Sequence, residues 1–524
     1  MTGFIDVLLR GLALAAGAVA LGGVFFARVA LAAGPGVKPD AASARTLRLA
    51  AFAAAAVAAA QLAMMLVALT ALAQSHGEWP FALYLETAVA RAALVRVGIG
   101  VAVVMLALTL VRRPAGAFAW AALGGGAVAL VGSSAWLSHA MARMDDRGWL
   151  VALDGAHQIA AAVWVGGLVH LTIHVARQRR LATADTAVAR RFSTLAFWSV
   201  AVLAGAGLAL TVAYVGDPSA LVGTAYGVMV LTKVVLLAAA LTLAAANHRA
   251  VRQAATAVGT MRLGRFVEVE MGLAITVLFA AASLTSLPPA VDVTADRATI
   301  AEVGARFAPR LPRLVSPPID ELLRTADPLM APAGARHDVE RAWSEYNHHW
   351  AGLFVLAMGL LASGERLGVR FARHWPLLFL GLATFLFVRN DPRAWPLGPT
   401  GFWESLTLPD VLQHRTFVVI IVAFGIFEWA VRTGRLAQDP WARVFPLICA
   451  VGGGLLLTHS HAMFALKDEF LTEVSHAPIG VIGAFAGWAR WLEVRLPGAG
   501  PLPGWLWRAG LIAVGLLLLS YHEG

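Results

Sequence analysis

Cysteine is almost missing from this chain: Cys449 is the single one in 524 residues. One thiol excludes an internal disulfide, a CxxC metal motif and a cysteine-ligated cluster. Charge is scarce as well. Asp, Glu, Lys and Arg make up 14% of the residues, against about a quarter in an ordinary soluble protein. No GxxxxGK stretch followed by Ser or Thr occurs, so nothing points to direct use of ATP.

Apolar residues fill the chain instead. They account for 59% of it, and the mean hydropathy is +0.72. The net charge of +10 does not indicate nucleic acid, because the arginines sit between apolar runs, as topology determinants do. The fold class expected is all-α, a polytopic membrane helix bundle. About fourteen apolar segments of roughly 16–25 residues are long enough to cross a bilayer. They fall near 10–31, 48–73, 92–111, 117–138, 157–176, 192–214, 226–246, 266–286, 348–365, 374–389, 414–431, 441–459, 476–491 and 503–521. A polar, proline-bearing stretch at 287–347 divides them. The expected domains are therefore 1–286, a loop or small external subdomain at 287–347, and 348–524.

The arginines orient this bundle. Arg112 and Arg113, then Arg177 to Arg191, Arg249 to Arg265, Arg366 to Arg373, Arg432 to Arg443, and Arg490 with Arg495 all fall on one side. The alternate loops are poor in basic residues or acidic, with Glu78, Glu86, Asp145, Asp146, Asp154, Asp468, Glu469 and Glu473. The positive-inside rule makes the first side cytoplasmic and puts the N-terminus outside.

Histidine then stands out. His348 and His349 open the first helix after the break, and His414 opens the third. His459 and His461 close the fourth, and His476 opens the fifth. By helix parity all six lie on the outer side. His139 and His157 repeat the arrangement in the first half. Ser138-His139-Ala140-Met141 recurs as Ser460-His461-Ala462-Met463, and each copy is followed by an acidic loop and a helix-opening histidine. Imidazole with nearby thioether suits copper, Cu(I) above all, with Met141 and Met463 as candidate ligands; zinc also accepts imidazole.

Further along the expected path stand Trp164, His170, His174 and Lys233. An intramembrane lysine needs a partner or a water path. His157 and His170 are thirteen residues apart, about 20 Å along one helix face. Haem b held by such histidines is the rival to copper.

The run Asp154-Gly-Ala-His157 through Trp164-Val-Gly166-Gly167-Leu168 resembles the signature of the CopD/PcoD copper-resistance family. So do His139-Ala140, a seventh helix with Gly227, Lys233 and Asn247, and Leu284-Thr-Ser-Leu-Pro288-Pro289. The resemblance covers residues 1–290. It implies an eight-helix core in a bacterial inner membrane that moves copper between periplasm and cytoplasm, inward by expectation, beside a periplasmic copper carrier. It implies a transporter rather than an enzyme. The six C-terminal helices exceed that core. Two alternatives stay open: a haem-bearing electron-transfer protein, and a membrane copper chaperone serving cuproenzyme assembly.

Overall fold

The computed structural model describes residues 2–77, 79–180, 186–253, 257–325, 338–458, 467–496, 498 and 500–523. They divide into two compact units. One holds the residues up to Arg297 together with Leu457 and Thr458; the other begins at Ala298. The described secondary structure is helical throughout, apart from one isolated bridge between Ala394 and Thr400.

Eight long helices build the first unit. They are α1 (Thr2–Phe25, extended by a π turn at Phe26–Ala30), α2 (Ala41–His76), α3 (Ala88–Arg112), α4 (Ala117–Gly132), α5 (Arg147–Arg180), α6 (Thr186–Val215), α7 (Ala225–Gln253) and α8 (Ala257–Leu284). Six long helices follow in the second: α9 (Asp338–Arg366), α10 (Leu378–Arg389, entered through a 3-10 segment at Arg370–Leu377), α11 (Pro409–Arg432), α12 (Val444–Leu456), α13 (His476–Arg495) and α14 (Leu502–Leu519).

Among the described residues, eleven helices are long and apolar enough to cross a membrane: α1 to α8, α10 with its 3-10 entry, α11 and α14. The other three fall short for separate reasons. The described part of α12 is 13 residues, less than a bilayer core requires. Helices α9 and α13 have the length, at 29 and 20 residues, but carry charged and histidine side chains within it.

Local signals set the helix ends. Asp40 accepts the amide of Ser43 at 2.8 Å and starts α2, and Gly77, with φ +78°, ends it. Thr87 accepts the amide of Ala90 at 3.1 Å at the start of α3. Such caps satisfy amides that the helix leaves open.

Helix α5 runs through the middle of the first unit, and small residues let it sit there. A Cβ on Gly166 would stand 1.8 Å from the Ala18 carbonyl oxygen of α1, and one on Gly167 would stand 2.2 Å from the Phe192 ring of α6. Close backbone approach of this kind drives helix association where lipid offers no hydrophobic contrast. The same device joins α9 to α14 and α12 to α13. A Cβ on Gly515 would meet the Leu356 amide at 2.5 Å, and one on Gly487 the Ala450 amide at 2.4 Å.

The second unit holds a charge network. Glu493 accepts from Arg366 at 2.7 Å, from Arg508 at 3.2 Å and from the Trp507 indole at 2.6 Å, and it pairs with Arg490. Arg432 bridges Glu365 and Glu428, each at 2.7 Å. Arg432, Arg490 and Arg508 all lie over the Trp507 ring. Arginines that read as topology markers are thus also partners in ion pairs.

Gly166→Ala must push α1 and α5 apart, so it should cost about 1–3 kcal/mol, measured as loss of thermal stability in detergent. Gly205→Ala, with open space around its Cβ, should be close to neutral. Glu493→Ala strips three guanidiniums of their shared counter-charge. It should cost about 3–5 kcal/mol in the same assay, with Glu493→Gln intermediate.

Candidate metal centre

In the first unit the expected histidines meet backbone carbonyls before anything else. His139, on the short helix His139–Ala142, donates through Nε2 to the carbonyl of Leu284 at 3.2 Å, at the last residue of α8. His157 donates through Nδ1 to the carbonyl of Leu203 on α6 at 3.0 Å. In a neutral imidazole each bond fixes the tautomer, leaving the lone pair on Nδ1 of His139 and on Nε2 of His157. Those are the atoms that could ligate.

Two tyrosines and Asp154 link the two rings. His139 meets the Tyr226 ring edge-on at 6.5 Å, and Tyr226 meets Tyr214 at 6.4 Å. Asp154, one turn before His157 on α5, lies within electrostatic reach of His157, Lys233, Tyr214 and Tyr226. Lys233 of α7 also acts on His157. Arg143 closes the edge, over the Tyr214 ring at 5.6 Å and paired with Asp292 at 3.0 Å. Met141 is half-exposed.

Deeper along α5, Trp164 is buried and its indole donates to Glu270 of α8. Asn247 of α7 donates to the same carboxylate at 2.6 Å. Glu270 itself is 4% exposed. A buried acid in a membrane helix marks function by default. The sequence reading named Trp164 and Asn247 but missed Glu270, because a single Glu in an apolar run carries no spacing signal. It also passed over Tyr214 and Tyr226, and treated Asp154 as part of a loop and a motif, although the i, i+3 spacing to His157 was available.

His170 is 3% exposed, donates through Nε2 to the Val19 carbonyl at 3.0 Å and stacks on Phe26 at 5.9 Å. A Cβ on Gly23 would lie 2.5 Å from that nitrogen. His170 therefore does not fit a haem: its Nε2 faces helix backbone, with no room for a macrocycle. His174 meets Phe26 edge-on at 6.2 Å.

In the second unit His348 and His476 come together around Tyr521. His348 stacks on the Tyr521 ring at 3.9 Å, and His476 lies edge-on to both rings at 5.7 and 5.9 Å. Each donates through Nδ1 to a carbonyl one turn back, Ser344 at 2.8 Å and Glu473 at 3.2 Å. His349 behaves differently. Its Nδ1 accepts the Arg313 amide and its Nε2 donates to the Tyr521 carbonyl, both at 2.7 Å. Both nitrogens are used, so His349 anchors the Arg313 loop and leaves no lone pair for a metal. His414 pairs with Asp391 at 2.7 Å. His459, His461 and Met463, and with them the second Ser-His-Ala-Met copy, lie outside the described residues. Among the described residues no three His, Cys, Asp or Glu side chains are arranged to enclose a metal ion. Of the six histidines expected together, four are described, and among these the rings of His348 and His476 meet.

These features define the class: a polytopic all-helical membrane protein with histidines and acids at its helix ends and within its bundle. Residues 186–284 match the family model for copper resistance protein D, so the chain carries a CopD domain there. The match spans α6 to the end of α8. It contains Leu203, Lys233, Asn247 and Glu270, and stops at Leu284, whose carbonyl holds His139; the Asp154–Leu168 run lies before it. No curated protein and no solved structure matches the chain.

Asp217, in the α6–α7 connection, is held down to about 2 by the Ser219 hydroxyl first and then by Arg297. A carboxyl lowered from about 4 stabilises the folded form above pH 4, and the contribution disappears as pH falls through about 2. The stability gap between wild type and Asp217→Asn should therefore close on acidification from pH 5 to pH 2.5. A gap constant across that range would remove the assignment.

Proposed function

We propose that this protein transports copper across the bacterial inner membrane, inward, as a multi-pass carrier with its N-terminus in the periplasm. The observation that carries the reading is the CopD domain at residues 186–284, whose helices supply the carbonyls and the lysine that surround His139 and His157. The arginine asymmetry supports the orientation, and with it about fourteen spans, the three less apolar helices crossing beside their neighbours.

On this reading the ion is the cargo. Cu(I) is received from a periplasmic carrier protein at His348 and His476, with His459, His461 and Met463 assigned to the same loading site by helix parity. His414, oriented by Asp391, presents a carboxylate-supported imidazole of the kind metals favour. In the first half, His139 through Nδ1 and His157 through Nε2 form a second site with Met141 at its rim. Asp154 supplies the negative charge that offsets a cation entering beside Lys233. The path then follows α5 past Trp164 and Glu270 to His170 and His174. A soft monovalent ion needs few ligands and exchanges them readily, which suits pairs of histidines better than a closed cage.

Vesicles reconstituted with the full chain test the reading. Wild type should raise Cu(I) entry well above that of empty vesicles. His157→Ala and Asp154→Asn should each cut the initial rate about tenfold or more. The double variant His348→Ala/His476→Ala should lower affinity at limiting copper and leave the saturated rate largely intact. Copper binding without entry would sink transport in favour of a membrane chaperone.

A further inference from the structure

Glu270 stands deep in the first unit. It lies fourteen residues before Leu284, whose carbonyl holds His139, so it is about 21 Å inward from that end of α8. Its partner Trp164 is seven residues past His157 and six before His170 on α5. The acid therefore sits between the outer and the inner histidines.

Its partners leave its charge uncompensated. Glu270 is buried, and among the described residues it accepts from two neutral donors, the Asn247 amide at 2.6 Å and the Trp164 indole. Glu428, buried as deeply, has Arg432 at 2.7 Å. The titratable groups described on the helices around Glu270 are spent or distant. Arg265 and Glu268 of α8 pair with each other at 2.5 Å. On α5, His170 is tied to the Val19 carbonyl, and Asp154 and His157 lie toward the outer end. On α7, Lys233 is fourteen residues from Asn247, and α1 carries no titratable residue between Arg10 and Arg28. A carboxylate without a cation is costly inside a bilayer. A proton or a monovalent cation removes that cost.

Asn247 fits either state of the acid. Its Nδ2 donates to a carboxylate, while its Oδ1 is buried with no hydrogen-bond partner among the described residues. Turned over, the same amide presents Oδ1 to a carboxyl O–H.

Resting on the transport reading, we propose that Glu270 exchanges a proton for the passing Cu(I), so that each ion moving inward returns a proton outward. Arrival of the ion breaks the O–H bond. The carboxylate oxygen takes Cu(I), the proton leaves toward the outer side, and no electron moves. When the ion goes on toward His170, the carboxylate takes a proton from the inner side. Ion and proton carry equal charge, so the exchange moves no net charge across the bilayer.

Infrared difference spectroscopy of the full chain in detergent at neutral pH tests the exchange apart from transport. Wild type should show a protonated carboxyl C=O band that Cu(I) erases. The band should be missing in Glu270→Gln and displaced in Asn247→Ala, which keeps the acid and alters its partner. In vesicles with a pH dye trapped inside, Cu(I) added outside should make the lumen alkaline in step with entry, at a rate that an imposed membrane potential leaves unchanged. Glu270→Gln should lose the proton signal and slow entry about tenfold or more. No carboxyl band, a band that survives saturating Cu(I), or copper entry without a proton signal would overturn the exchange. A band that Cu(I) erases in a protein that admits no copper would instead overturn transport and keep the exchange at Glu270.

Discussion

A bilayer offers a buried polar group no water, so each one must find its partner inside the protein. Most of the polar architecture here follows from that constraint. His139, His157 and His170 each donate to a main-chain carbonyl of another element. Glu270 takes two neutral donors, and Glu493 gathers three arginines. A ring held through one nitrogen is fixed in tautomer and direction. Where its other nitrogen faces a polar neighbourhood, as at His157, it can serve an ion. Where that nitrogen is spent, as at His349, it serves the fold.

The constraint also explains the glycines of α5. Placing a helix with Asp154, His157, Trp164 and His170 at the centre of the first unit requires neighbours that approach its backbone closely. Gly166 and Gly167 allow this on two sides at once. The motif Trp164-Val-Gly166-Gly167 thus combines a polar tip aimed at Glu270 with the small surface that brings α1 and α6 near.

Much of this was legible in the sequence, and the reasons for the rest are physical. Long apolar runs fixed the helix positions, because a membrane helix must satisfy its backbone within itself. The family resemblance read from Gly227, Lys233, Asn247 and Leu284 coincides with the matched CopD segment. Helix parity put His348 and His476 at helix ends on one side, and their rings do meet. Side-chain partners were not. Parity puts a residue at a helix end but does not say whether its ring meets a carbonyl, a tyrosine or another histidine. Thus His349 read as equivalent to His348, and His414 as part of one cluster. Glu270 escaped as a site residue because an isolated acid has no period to reveal it, whereas Asp154 stands three residues before His157, a spacing that a helix turns into one face.

The central claim is that copper, and not haem, is what these histidines handle. Elemental analysis of the purified full chain together with its visible spectrum tests it most directly. The account predicts bound copper, lost when His139, His157, His348 and His476 are replaced together, and no strong Soret band. Stoichiometric iron with an intense Soret band would contradict it.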